Sequence, residues 1–322
     1  MGLTNLVTNL RKSLELQEER IDAGETEARA ALPVVAQAGV PAGVEERFAE
    51  FPDGRVRFLQ AGSGPPLVLL HGLLGYSFSW RFNLAALAQH RRVLAMDQLG
   101  VGFSDHPSGL ECSLKAVAAR TAEFIDQQAP GRFDLLGTSH GGAVAIRVAA
   151  EMVDRGDGRL QRLILVAPAN PWSPHGRLLA PFVAQRPISA ALRSTLPRAS
   201  FAWGFFIRRL YGNPSLMPLG TVEGYSAALA QEHSWEYGLR VLENWLEDLE
   251  ELKGLLPKLA QVPTLLLWGG KDPAVYPESA EPLRQALRNC EHVSLPGIGH
   301  LPYEEAPGEF NRIVTGFLQR PV

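Results

Sequence analysis

The chain has 322 residues, 46% of them hydrophobic, two cysteines and a formal net charge of -3. That length accommodates one large core with an insertion, or two modest domains; the charge excludes a global basic field that would hold nucleic acid, and no apolar run approaches the roughly eighteen residues of a membrane span. Cys112 and Cys290 make neither a disulfide framework nor a paired zinc motif, and the opening MGLTNLVTNLRKS has no apolar signal region, so a reducing, cytoplasmic setting is expected.

Residues 1–44 differ in character from the rest of the chain. Leu3, Leu6, Leu10 and Leu14 recur at helical spacing among and before Arg11, Lys12, Glu18, Glu19 and Arg20, and an Ala- and Pro-rich stretch comes next. The spacing predicts an amphipathic arm and a linker. Its leucine stripe is expected to pack on the parent domain or on a second subunit, so a homodimer through this arm or through the insertion below is one expected partner. The polar face mixes both signs, which argues against a membrane surface.

From Val44 onward strands and helices alternate. Arg55–Ala61 alternates as an antiparallel strand does. Pro66–Leu70, Arg92–Met96, Phe133–Leu136, Leu160–Val166 and Pro263–Trp268 are short continuous apolar runs, the pattern of strands buried on both faces; His292–Leu295 is a weaker one. Helical patterns lie between, over Phe82–Gln89, Ser113–Gln128, Gly142–Val153, Ser279–Leu287 and Glu309–Leu318. The alternation predicts a mostly parallel sheet covered on both faces, with ligands at the carboxyl ends of its strands.

About ninety residues between Val166 and Pro263 break this rhythm. A compact domain needs no connection of that length. The stretch reads as a helical cap over 169–259, inserted into a core of 45–168 and 260–322. It is rich in large apolar groups, among them Trp172, Phe182, Phe201, Trp203, Phe206, Tyr211, Tyr225, Tyr237 and Trp245. More than half are expected to form the cap's own core; the others line an apolar pocket, with Trp203 and Phe206 as candidates for touching substrate. Charge is segregated here. Gly158–Val222 holds Arg159, Arg162, Arg177, Arg186, Arg193, Arg198, Arg208 and Arg209 and no acid, whereas Glu223, Glu232, Glu236 and Glu243 open an acidic stretch. The two halves are expected to neutralise each other; the sharper alternative has Arg193 or Arg208 facing a substrate carboxylate.

The most specific signal is Gly137-Thr138-Ser139-His140-Gly141-Gly142, between the run FDLL and the helical run AVAIRVAAEM. This is the strand–turn–helix context of a nucleophile elbow. A serine on a strained turn needs small neighbours, and the turn places the N–H of His140 at a helix N-terminus, where it stabilises an oxyanion. The hydroxyl needs a base, and the base an orienting carboxylate. Asp272 directly follows the run PTLLLWGGK, at a strand's carboxyl end; a plain Asp-Pro turn is the alternative. His300 lies in a loop between Gly299 and Pro302, after the last strand, and suits the base. After PPLVLL comes His71-Gly72-Leu73-Leu74-Gly75, where the N–H of Leu73 is the natural partner of His140 in an oxyanion hole, Gly72 borders substrate and His71 organises the turn. No clustered metal pattern, Walker A motif or dinucleotide fingerprint is present, so neither metal nor organic cofactor is expected.

Five motifs stand in order: HGLLG at 71–75, DQLGVGFSD at 97–105, GTSHGG at 137–142, WGGKDP at 268–273 and GIGHLP ending at Pro302. In these the chain resembles the α/β-hydrolase superfamily, in its lid-bearing esterase, C–C hydrolase and haloperoxidase-like branch. The resemblance runs from about Val44 to the C-terminus and leaves the arm outside. It implies an α/β-hydrolase fold with a mostly parallel eight-stranded sheet, a triad of Ser139, Asp272 and His300, and structural duty for Asp97 and Asp105. His140 departs from the apolar group frequent in relatives; it either contacts substrate or packs under the cap, and a pocket-lining role without acid–base duty is expected. Relatives that open epoxides or displace halide carry an aspartate at the elbow, so Ser139 implies acyl transfer.

Three functions remain. The first is a carboxylesterase for small to medium apolar esters. The second is a C–C hydrolase of a β-diketone-like acid, which needs a cap arginine in the pocket. The third is a non-catalytic receptor, which the complete set of catalytic motifs disfavours.

Overall fold

The computed structural model of the protein describes residues 43–174, 177, 180–195, 203–231 and 233–321, without the side chains of Arg186, Ala190 and Ser194. The expected arm lies outside these residues up to position 42, as do His175, Arg198, Phe201 and Glu232.

Eight strands form one sheet: β1 (Val44–Phe51), β2 (Gly54–Ala61), β3 (Pro66–Leu70), β4 (Arg92–Met96), β5 (Phe133–Thr138), β6 (Leu160–Val166), β7 (Thr264–Gly269) and β8 (Cys290–Leu295). Their order is β1-β2-β4-β3-β5-β6-β7-β8. β2 runs antiparallel to β1 and β4, and the other neighbours are parallel. The central strands are mostly apolar because both faces are covered, and the buried Asp134 and Arg162 near the starts of β5 and β6 pair with each other. Val68 and Leu70, Leu163 and Leu165, Leu266 and Trp268 face one core; Leu67 and Leu69, Ile164 and Val166, Leu265 and Leu267 face the other. Helices Leu114–Gln128, His140–Asp154 and Ala280–Leu287 cover the first face, and Leu84–Leu87 with Pro307–Leu318 cover the second.

β1 has no counterpart among the strands expected from the sequence. Of its VEERFAEF only Ala49 is buried, so no alternation betrays it. Its backbone pairs along all of β2, from Val44↔Ala61 to Phe51↔Gly54, and its charges suit an edge strand that must not recruit another chain.

The chain order reverses at β3, which lies between β4 and β5. Such a switch point opens a crevice at the strands' carboxyl ends. The loops after β3 and β5 meet there.

Between β6 and β7 the chain forms helices Ala180–Val183, Arg186–Thr195, Trp203–Leu210, Thr221–Leu229 and Ser234–Leu255. The longest packs on His140–Asp154 and on Ala180–Val183. Tyr211, Met217, Tyr225 and Tyr237 are buried, whereas Phe182 and Phe206 face solvent. The segregated charges separate into two groups. Arg193 meets Glu243 of the acidic half at 2.7 Å, but Arg159 and Arg162 bind the core acids Asp126 and Asp134. Among the described residues no helix is long and apolar enough to cross a membrane, and Cys112 and Cys290 are free thiols.

Candidate active site

Ser139 sits between the end of β5 and the first turn of helix His140–Asp154 with φ 52° and ψ -121°. This left-handed conformation is costly for a residue with a side chain and persists only where its surroundings enforce it. Here they do. The Ser139 N–H donates to Val166 O at 3.0 Å, and its carbonyl accepts from Gly142, Ala143 and Ala169. Neighbouring backbone leaves room for nothing but glycine: a Cβ on Gly137 would lie 2.2 Å from Gly141 O, and one on Gly141 would lie 2.3 Å from His71 O.

The loop after β3 closes on this turn. A Cβ at Gly72 would stand 3.1 Å from Ser139 Cβ and 3.7 Å from its Oγ, so Gly72 borders the hydroxyl. His71 holds the loop. Its Nε2 accepts the Gln98 N–H at 3.0 Å, which leaves Nδ1 to donate to Gly72 O at 2.8 Å. Burial pushes His71 below the ordinary imidazole range and keeps it neutral, so it organises the turn. The N–H of His140 is at the first helical position, where no intrahelical acceptor exists.

At the far side, Asp272 follows β7 and His300 follows β8. His300 Nδ1 and Asp272 Oδ2 are 2.7 Å apart, and both side chains are almost wholly buried. Asp272 Oδ1 accepts the N–H groups of Ala274 at 2.8 Å and Val275 at 2.9 Å, which locks the carboxylate in place. The segment beyond His300 packs against the segment beyond the β3 loop: Tyr303 lies 4.9 Å ring to ring from Trp80, and its carbonyl accepts from Asn83. Asp272 and His300 are therefore joined directly. Ser139 Oγ, half-exposed, makes no described hydrogen bond to His300 or to any other described group. Contacts of this kind often tighten only once substrate binds.

The remaining candidates fall in different places. His140 is 4% exposed and lies under helix Ser234–Leu255, stacked on Trp245 and edge-on to Tyr237, each at 6.3 Å. Burial pushes its imidazole down to about 3, so the ring is uncharged at neutral pH. Its Nε2, the Tyr237 hydroxyl and the Trp245 indole N–H are all buried without a hydrogen-bond partner among the described residues. Trp203 is half-buried and meets Trp235 edge-on at 5.6 Å, inside the insertion. Phe206 corrects the sequence expectation: it is 57% exposed beside Phe205, because its helix turns Gly204 and Ile207 inward. Arg193 is taken by Glu243, which removes it as a free cation for substrate.

Asp97 and Asp105 are structural. Asp97 accepts from Ser77 N, Phe103 N and Arg57, and Asp105 accepts from Arg55 N. Glu304 and Glu305 are not among the residues the sequence nominates. Glu304 is fully buried and takes Arg81 at 2.8 Å, Tyr211 Oη at 2.6 Å and the Tyr225 hydroxyl. Glu305 accepts the N–H groups of Gly212 and Gly299. The one signal for them was a pair of acids directly after GHLPY, in a chain end that otherwise reads as an amphipathic helix.

A family model described as alpha/beta hydrolase fold matches residues 65–307. Haloalkane dehalogenase 2 of Mycobacterium tuberculosis is 29% identical over 290 residues, 86% of this chain and 94% of that protein. Pimeloyl-[acyl-carrier protein] methyl ester esterase of Nitrosomonas europaea is 27% identical over 77% of this chain and 94% of its own length. The solved structure of a thermophilic esterase from Thermogutta terrifontis superposes with a TM-score of 0.68 at 26% identity, covering 85% of this chain and 98% of that one.

Proposed function

Since the chain belongs to the α/β-hydrolase family, we propose that it is a serine hydrolase, a carboxylesterase that cleaves small to medium apolar esters through an acyl-enzyme on Ser139. The reading is carried by the buried 2.7 Å contact of His300 Nδ1 with Asp272 Oδ2, at the same sheet edge as a serine held in a strained turn. Nδ1 bound to a carboxylate leaves Nε2 as the basic nitrogen. It takes the proton as Ser139 Oγ attacks the ester carbonyl, and the N–H groups of Leu73 and His140 receive the oxyanion. The alcohol leaves with that proton, and water, activated by the same imidazole, releases the acid. No metal or organic cofactor enters. Residues 169–259 act as a cap over the core of 45–168 and 260–322, and the free thiols fit a cytoplasmic setting.

Similarity to a haloalkane dehalogenase does not extend to its chemistry. Displacement of halide by a serine alkoxide leaves an ether, which no base in the site hydrolyses; the cycle needs an ester, hence a carboxylate nucleophile. Ser139 supplies none. C–C hydrolysis of a β-diketone-like acid is a weaker second reading: of the two arginines it could use, Arg193 is engaged by Glu243, which leaves only Arg208 of the helix Trp203–Leu210.

A fluorophosphonate label and nitrophenyl esters of graded acyl length test the proposal. The label is expected on Ser139, and Ser139→Ala should lower kcat by at least about 10³-fold. Undiminished ester turnover in that variant sinks it.

A further inference from the structure

We propose that Glu305 is the positioning residue of the base: one carboxylate clips the peptide that carries His300 to the end of an insertion helix, so that the cap's seat and the imidazole's placement are a single mechanical unit. This rests on His300 being the base.

The geometry is bilateral. Glu305 Oε1 accepts the Gly299 N–H at 2.8 Å, and Oε2 accepts the Gly212 N–H at 2.9 Å. Gly299 is the residue before His300, and Gly212 follows helix Trp203–Leu210. The two backbones touch: a Cβ on Gly299 would lie 2.3 Å from both Gly212 N and Leu210 O. His300 N itself donates to Leu210 O at 2.7 Å. On the other side, Lys271 N donates to Ile298 O at 2.8 Å, tying the same loop to the Asp272 turn. The loop is thus braced between the β7 end, which orients the imidazole through Asp272, and the insertion, which sets how far the backbone stands from the elbow.

Glu305 suits this task better than its neighbour. Glu304 is engaged by Arg81, Tyr211 and Tyr225 in a closed, fully buried cluster. Glu305 has no cation partner among the described residues; its partners are backbone N–H groups of the two segments it joins, Gly212 and Asn213 on one side and Gly299 and Leu301 on the other. Burial lifts its carboxyl to about 7 against the opposing pull of those N–H groups. Its two carboxylate oxygens meet the two backbones at once, Oε1 on the His300 side and Oε2 on the Gly212 side.

The test compares Glu305→Ala, Glu305→Gln and Glu305→Asp with wild type, normalising rates to fluorophosphonate-titrated sites. Glu305→Ala should lower kcat about 10- to 100-fold with KM within about threefold, since a loosely placed base costs turnover and not binding. Glu305→Gln, with a single acceptor oxygen, should lie between, and Glu305→Asp should recover part of the loss. The downfield proton resonance of His300 Nδ1–H on Asp272 should broaden in Glu305→Ala. That signal does not depend on turnover, so it separates this proposal from the esterase reading: a sharp, unshifted resonance with wild-type kcat per site overturns the positioning role even if Ser139 proves to be the nucleophile. A fall in melting temperature with kcat per site unchanged overturns it equally, as the mark of a merely structural clip.

Discussion

Both oxygens of Asp272 are engaged, Oδ2 by His300 and Oδ1 by the Ala274 and Val275 N–H groups. Asparagine keeps the shape but offers only one acceptor oxygen. If that oxygen stays on the backbone, the amide N–H faces His300 Nδ1 and forces the wrong tautomer. Asp272→Asn is therefore expected to lower kcat about 10³- to 10⁴-fold with thermal stability nearly unchanged, measurable by ester hydrolysis beside a melting curve. Position along the chain was enough to nominate Ser139, Asp272 and His300, because each lies in the turn or loop that follows a strand, weakly marked in the case of β8. Phe206 was nominated on residue type alone. Which way a helix residue faces depends on what its helix packs against, and Gly204 and Ile207 turn inward instead. His140 packs against Trp245 and Tyr237 of the helix Ser234–Leu255, and its ring is uncharged at neutral pH.

At the scale of elements, the turn from β5 into helix His140–Asp154 rests on backbone-to-backbone packing. A methyl on Gly141 would meet His71 O at 2.3 Å and Leu70 O at 2.6 Å, neither a flexible side-chain end. Gly141→Ala should cost about 1–3 kcal/mol in urea unfolding and displace the Gly72–Leu73 peptide, lowering kcat more than it raises KM. The buried strands were legible because short runs dominated by apolar residues admit few other structures: β3, β4 and β6 keep the limits their sequences suggest. β5 runs on to Thr138, and the helix after it begins at His140 and not Gly142, because the Ser139 carbonyl already accepts helical bonds. β1 was illegible, since an exposed edge strand needs partners along its backbone and not an apolar face.

For the whole molecule, the helix Ser234–Leu255 carries a buried acid into its contact with the core. Asp248 accepts the Leu114 N–H, Glu247 and Glu251 lie nearby, and burial outweighs Arg147 and pushes the carboxyl up to about 7. The native state therefore holds a proton that the unfolded chain has released, and stability falls as pH rises from about 4 to about 7, with the full penalty above that range. Asp248→Asn keeps an acceptor for Leu114 without the charge. Thermal unfolding should show the variant gaining on wild type at pH 8 by on the order of 2 kcal/mol, after allowance for solvent screening, and gaining nothing at pH 4. An equal gain at both values would remove the carboxyl as the cause. By itself the sequence determined the layered sheet, the order of the catalytic candidates and a long helical stretch between β6 and β7, because apolar periodicity and small-residue turns act locally along the chain. Only the tertiary structure decided that the segment between β6 and β7 is fastened to the His300 loop through Glu304 and Glu305, that Arg193 is already engaged and that β1 joins the sheet, because the first two join groups 50 to 93 residues apart and the third rests on backbone pairing along an exposed edge, which no local side-chain pattern records.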